Sequence, residues 1–196
     1  MNTKLPLILG SSSIFRQQQL QRLGLSFQTA SPDFDETPQN GESPEATALR
    51  LAAGKARSLA TAFPQALIIG ADQVAWCNGK QLGKPLNVAK AQQMLAELSG
   101  KRIEFYSAVV LLNTLSDGLH THVDKTVVTM RELSPDQINR YLKRESDAVY
   151  CAGAAKSEGL GAALLERIDS VDPNALIGLP IFKLIDFLKA EGVEIL

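Results

Sequence analysis

The sequence predicts an α/β protein with a mixed β-sheet flanked by helices, and three observations carry that expectation. Short, apolar, β-rich runs alternate with segments whose apolar residues recur at three-and-four spacing. Serine-proline-acid signals open two of those segments. One long stretch is patterned as a hairpin, which adds an antiparallel pair to an alternation that otherwise favours parallel strands. At 196 residues, with no repeat, low-complexity tract or linker, the chain is expected to form a single domain over residues 1–196.

Taken in order, LPLILG is the first strand and SIFRQQQLQRLG the first helix. SPEATALRLAAGKARSLATAF predicts a second helix reaching Phe63, with Ser43 as N-cap, Pro44 in the first turn and Glu45 placed to favour the helix dipole. ALIIGADQV is a strand bounded by turn residues, and NVAKAQQMLAELSG a third helix. Between Lys101 and Leu133 two extended runs flank Asp117-Gly118, a hairpin turn. Ser134-Pro135-Asp136 repeats the helix-start signal ahead of INRYLKRE. The tail carries a strand-like piece, a Pro-Asn turn, and a helix after Gly178-Leu179-Pro180.

Charge and cysteine usage exclude several classes. With 20 basic and 21 acidic side chains the formal net charge is −1, which provides no field to draw in a nucleic-acid polymer or an anionic membrane. No apolar run approaches spanning length, and MNTKLPLILG lacks the h-region and cleavage site of a leader, so a soluble cytoplasmic protein is expected. Cys77 and Cys151 form no disulfide framework or zinc spacing and read as core thiols. His120 and His122, two apart on one strand face, read as exposed strand histidines rather than metal ligands. No G-x-S-x-G, G-x-G-x-x-G or Walker loop is present, so covalent serine chemistry, NAD binding and P-loop chemistry fall away.

What remains points to charge handling. Gly10, Ser11, Ser12 and Ser13 sit where a strand passes into a helix, a place for either an anion or an ordinary cap, and Arg16 lies one turn further on. Asp33, Asp35 and Glu36 crowd a proline-flanked loop that is either a seat for magnesium or manganese or a solvated acidic turn. Asp72 follows an apolar strand, where ligands gather in open α/β sheets and where a buried acid needs a cation, although a turn aspartate fits the same position. Lys55 and Lys84 could each face a polyanion or only water, and Lys156-Ser157-Glu158-Gly159 is a polar island in apolar surroundings.

Together these blocks resemble the Maf (septum formation inhibitor) nucleotide pyrophosphatases. The matching residues are Ser11, Ser13 and Arg16 in S-x-S-x-x-R, Asp35-Glu36-Thr37, Lys55-Ala56, Gly70 through Val74, Gly83-Lys84-Pro85, Ala152-Gly153 and Gly178-Leu179-Pro180. The resemblance implies an elongated mixed α/β fold with a central cleft. It also implies hydrolysis of nucleoside triphosphates between the α and β phosphates, dependence on a divalent cation, and an assembly that in this family is often a homodimer. On the same basis Ser11, Ser13, Arg16, Lys55 and Lys84 would bind the triphosphate. Glu36 and Asp72 would hold Mg2+ or Mn2+, and Asp72 would act as the base.

Within the family, thymidine and uridine triphosphate enzymes carry Asp-Thr after the central strand and a late Gln. The Asp72-Gln73 pair and the Lys156 to Gly159 block here resemble instead the YceF-type branch, which acts on 7-methyl-GTP, and on that basis Gln73, Lys156 and Glu158 would bind the substrate. There is a physical reason for that switch: guanine presents two N–H donors on its pairing edge and N7 methylation adds a positive charge, so the Glu158 carboxylate suits it better than an amide. Phe15 could lie against the cationic ring, and Phe15 and Trp76 fit a core role equally. Ile14, Gln17 and Gly54 depart from the usual pattern, which has proline, a second arginine and an acid at those places. A pyrophosphatase of the dTTP/UTP type and a non-catalytic nucleotide-binding regulator of cell division are the rival expectations.

Overall fold

A computed structural model describes residues 5–37 and 39–196; Met1 to Lys4, part of the segment read above for a leader, and Pro38 of the acidic loop lie outside the described residues. The strands are β1 (Leu7–Gly10), β2 (Gln28–Ala30), β3 (Leu67–Cys77), β4 (Lys80–Leu82), β5 (Arg102–Asn113), β6 (Gly118–Met130) and β7 (Leu165–Asp169). The helices are α1 (Ile14–Gln21), α2 (Pro44–Ser58), α3 (Val88–Leu98), α4 (Pro135–Arg144) and α5 (Ile181–Ala190). The strand order is β2-β1-β3-β5-β6-β7, with β4 paired to β3. β1 runs parallel to β2 and β3, whereas β3 with β4 and β6 with β7 are antiparallel, so the sheet is mixed as expected.

The chain forms two compact units, one holding the residues up to Gln73 with Ser107–Asp124 and Asp172–Leu196, the other Val74–Tyr106 with Lys125–Val171. In the first, side chains of β3 alternate between two faces. Leu67, Ile69 and Ala71 join Leu7, Leu9, Val109, Leu111, Leu20 of α1 and Leu184 and Leu188 of α5 in one apolar core. Gly70 points the other way: a methyl there would stand 2.2 Å from the Ala52 carbonyl and 2.9 Å from the Ala56 Cβ, so α2 packs on β3 at a distance only glycine permits. Each fully buried aliphatic side chain contributes about 1.5–3 kcal/mol to holding these layers.

In the second unit α3 and α4 pack together, burying Ala91, Leu95 and Leu98 from one and Ile138, Tyr141 and Leu142 from the other. The anticipated helix starts are realised. Ser43 Oγ accepts from the Ala46 N–H at 3.1 Å, and Ser134 forms a full capping box with Gln137. Among the described residues no helix is long and apolar enough to cross a membrane.

Several expectations need correction. α2 ends at Ser58, short of Phe63, because Ser58 Oγ takes the Lys55 carbonyl at 3.0 Å and Leu59 to Phe63 wind into tight turns ahead of Pro64. β2 and β4, each three residues long and largely exposed, were not anticipated. Cys77 is buried, but Cys151 is only half-buried and is no core thiol. The histidines are half-buried rather than exposed: His120 Nε2 meets Glu191 Oε1 at 2.8 Å and its ring stacks on Phe187.

Candidate active site

β1 pairs with β3 only as far as Gly10 opposite Gly70, so Asp72 emerges beyond the end of β1, at the carboxyl end of the parallel strands. On the same face α2 carries Lys55, buried at 8% exposure like Asp72. Lys55 Nζ reaches Asp72 Oδ1 at 2.6 Å and Glu36 Oε1 at 3.0 Å, so two carboxylates from different segments share one ammonium. The Glu36 side chain is 58% exposed, which leaves that acid open to a further cation while Asp72 is enclosed.

The loop bearing Glu36 is held from both ends. Arg50 grips Glu42 through two hydrogen bonds of 2.7 and 2.9 Å and also donates to the Thr37 carbonyl, while Asp35 Oδ1 accepts from the Thr37 N–H and hydroxyl. Those Thr37 bonds, hydroxyl first, hold the Asp35 carboxyl below its ordinary range. Among the described residues these acids form no cluster of three able to hold a metal, and Glu36 is the one paired with Lys55. Gly54 explains a departure noted in the sequence, because a methyl there would stand 2.2 to 2.5 Å from the Phe34 ring. An acid at that position would push the ring, and the loop carrying Glu36, off α2.

At the start of α1, Ser13 is the N-cap residue yet makes no side-chain cap bond. Its N–H donates to Ser11 Oγ at 3.2 Å, and Arg16 Nη1 reaches the same hydroxyl at 3.4 Å. An ordinary cap would use the Ser13 hydroxyl, which here makes no bond to the first turn of α1. Arg16 Nε donates to the Gly178 carbonyl at 2.9 Å. Burial lowers the affinity of the Arg16 guanidinium for its proton, while the fields of Asp72 and Glu36 oppose that, which places all three charges within electrostatic reach. Arginine stays charged throughout. Phe15 is half-buried beside it.

Gln73 follows Asp72 and faces the other side of the sheet. Its Nε2 donates to Ser107 Oγ at 2.9 Å and to the carbonyls of Ala175 and Leu176 at 3.1 and 3.0 Å.

In the second unit, residues 83–86 lie against 149–153, since the Gly153 N–H reaches the Gly83 carbonyl at 3.4 Å and the Leu86 N–H the Val149 carbonyl at 2.9 Å. Lys84 is exposed on this strip. Burial pushes the Cys151 thiol up to about 11; Glu158 adds to that rise while Lys156 and Lys84 oppose it, so these three expected residues lie within electrostatic reach of one thiol. Lys156 Nζ pairs with Glu145 Oε1 at 3.0 Å, Glu145 Oε2 accepts from the Leu160 N–H at 2.9 Å, and Ser157 Oγ reaches Glu158 Oε2 at 3.4 Å. Tyr141 OH donates to the Ala154 carbonyl and accepts from the Lys156 N–H. Trp76 is half-buried on β3.

Sequence reasoning missed Glu145, Tyr141, Ser107 and the Gly178 carbonyl. Tyr141 lies on a recognisable apolar helix face, but its hydrogen-bonding task is a tertiary one. The Gly178 contact runs through backbone and leaves no side-chain signal beyond the Gly-Leu-Pro block.

The profile of a family described as "Maf-like protein" matches residues 6–191. The "7-methyl-GTP pyrophosphatase" of Neisseria gonorrhoeae (strain ATCC 700825 / FA 1090) is 68% identical over 196 residues, covering 100% of both chains. The protein of that name from Neisseria meningitidis serogroup A is 67% identical with the same coverage, and that from Chromobacterium violaceum 53% identical over 97% of this chain and 98% of its own. Among solved structures, "The structure of the Staphylococcus aureus Ham1 protein" aligns at a TM-score of 0.46 and 14% identity, over 65% of this chain and 72% of that one.

Proposed function

The chain belongs to the Maf-like protein family, and from that membership we propose that it is a pyrophosphatase that hydrolyses 7-methyl-GTP between the α and β phosphates, giving 7-methyl-GMP and pyrophosphate. Relatives at 67% and 68% identity over the whole length carry that activity in their names, which supports the substrate. The observation that carries the chemistry is the pair of carboxylates, Asp72 and Glu36, on the buried Lys55 ammonium beyond the end of β1.

A triphosphate brings several negative charges. Ser11, Ser13 and Arg16 at the start of α1, with Lys55, offset them, and Lys84 is assigned the same role. Glu36 and Asp72 would hold the divalent cation, Mg2+ or Mn2+. Their all-oxygen donor set fits a hard ion, and magnesium is commonly held by one or two carboxylates with substrate phosphate completing its shell. When bound, the ion polarises the phosphoryl group and offsets charge on the departing pyrophosphate. Lys55 fixes Asp72 through Oδ1, which leaves Oδ2 to take the proton of the water that attacks phosphorus.

Glu158 accepts from the guanine edge, Lys156 supports the loop that bears it, and Phe15 meets the methylated, cationic ring. Exclusion of modified nucleotides from the polymerase pool is the role this chemistry suits, and a cytoplasmic homodimer is proposed from the family resemblance alone.

A panel of canonical and methylated triphosphates, read by pyrophosphate release with magnesium or manganese, tests the reading. We expect 7-methyl-GTP to rank first by kcat/KM. A ranking led by UTP or dTTP would assign the chain to the pyrimidine branch, and binding without release would make it a regulator.

A further inference from the structure

We infer that Gln73 and Ser107 form a latch that positions Arg16, by pinning the 175–177 turn whose following residue, Gly178, holds the guanidinium. The inference rests on the reading above only for the role of Arg16 toward phosphate.

The argument begins with direction. Gln73 lies on the face of β3 that carries Leu67, Ile69 and Ala71, the face covered by α1 and α5, whereas Asp72 faces Lys55 of α2. The two neighbours therefore serve different sides of the sheet. On its own side Gln73 Nε2 has two protons and three acceptors in range: Ser107 Oγ, the Ala175 carbonyl and the Leu176 carbonyl. Its donor capacity is spent within the protein.

Ser107 completes the latch. It is fully buried at 0% exposure, accepts from Gln73 and donates its own proton to the Ala175 carbonyl at 2.7 Å, so its single hydroxyl proton is also committed. That carbonyl additionally accepts from the Gly178 N–H at 2.9 Å, which sets where Gly178 lies. From the opposite flank Gln19 Nε2 donates to the Asn174 carbonyl at 2.8 Å. Gly178, at φ 120°, then turns its carbonyl to Arg16 Nε. A methyl at Gly178 would stand 3.3 Å from Arg16 Nε, so the approach is close. With Nε on Gly178 and Nη1 on Ser11, the fork of Arg16 is held in one orientation.

A positioning role differs from base recognition in what it predicts. Gln73→Met removes the donors at similar volume, and Ser107→Ala removes one oxygen. Arginine Nε–H exchange followed by NMR reads the Arg16–Gly178 bond without any substrate, and we expect it to accelerate at least tenfold in either variant. Steady-state kinetics should show kcat/KM falling about tenfold, the scale of weakening a hydrogen bond to a charged group, by the same factor for 7-methyl-GTP and UTP, with little added loss when Gln73→Met is placed on Arg16→Lys. Ser107→Ala carries the test if Gln73→Met does not fold. Arg16 exchange unchanged from the wild type, or a loss confined to one base, would overturn the latch. A wild-type protein that releases no pyrophosphate sinks the proposed function instead, while the exchange measurement still decides this inference.

Discussion

Lys55 Nζ stands 2.6 Å from Asp72 Oδ1, and both side chains are about nine-tenths withdrawn from solvent, at 10% and 11% exposure. An ion pair this enclosed is held by mutual compensation, since removing either charge strands the other in a poorly solvated place.

Lys55→Met should therefore destabilise the fold by about 3 kcal/mol, the usual scale for an orphaned buried charge. Adding Asp72→Asn to it should recover part of that loss, because both partners are then neutral. Urea unfolding of the two single variants and the double variant measures the coupling; additive losses would mean the pair contributes nothing jointly.

Gly70→Ala tests how closely α2 approaches β3. The added methyl meets the Ala52 carbonyl, which is backbone and cannot swing aside, at 2.2 Å. A loss of about 1–3 kcal/mol is expected from overpacking, with activity reduced because Lys55 and Asp72 are carried on those two elements. Unchanged thermal stability would show that the contact yields freely.

Glu158→Gln replaces a carboxylate with an amide that offers donors to a base edge already rich in donors. The expected outcome is a fall in kcat/KM for 7-methyl-GTP of about tenfold or more, with UTP unaffected or improved. An unaltered substrate ranking would place base selection elsewhere.

Tyr141 supplies a pH test. Burial, its largest cause, raises the phenol from 10.0 to about 12. The folded state thus keeps a proton that the unfolded state loses, so the contribution is intact below about pH 10 and vanishes as pH rises through the folded value. The wild type should lose roughly 2–3 kcal/mol from this group across that window. Tyr141→Phe, already lacking the bonds to Ala154 and Lys156, should show a flatter stability profile there. Parallel profiles by urea unfolding from pH 9 to 11.5 would contradict it.

Much of the fold was legible because it is written locally. The strand LILG, the Ser43 and Ser134 caps and the Asp117-Gly118 hairpin each depend on a few adjacent residues, and each forms. β2 and β4 left no trace, since three exposed residues carry no hydrophobic period and gain their pairing from neighbouring strands. For the site, residue types alone left Asp72, Glu36, Lys55 and Arg16 open, and the ordered blocks that resemble the family singled them out. Their connections were hidden, because a salt bridge joining helix, loop and strand and a guanidinium resting on a backbone carbonyl are products of tertiary placement. Gln73 shows the limit most clearly: the resemblance gave it a part in binding substrate, while its bonds to Ser107, Ala175 and Leu176 on the face of β3 opposite Asp72 are set by tertiary placement.

The most direct measurement is turnover of 7-methyl-GTP by Asp72→Asn, with pyrophosphate and 7-methyl-GMP quantified beside the wild type at equal folded protein. A loss of about two or more powers of ten in kcat, with circular dichroism unchanged, is the expected result for removal of the base. Turnover equal to the wild type would contradict the role given to Asp72 and with it the chemistry centred on Lys55.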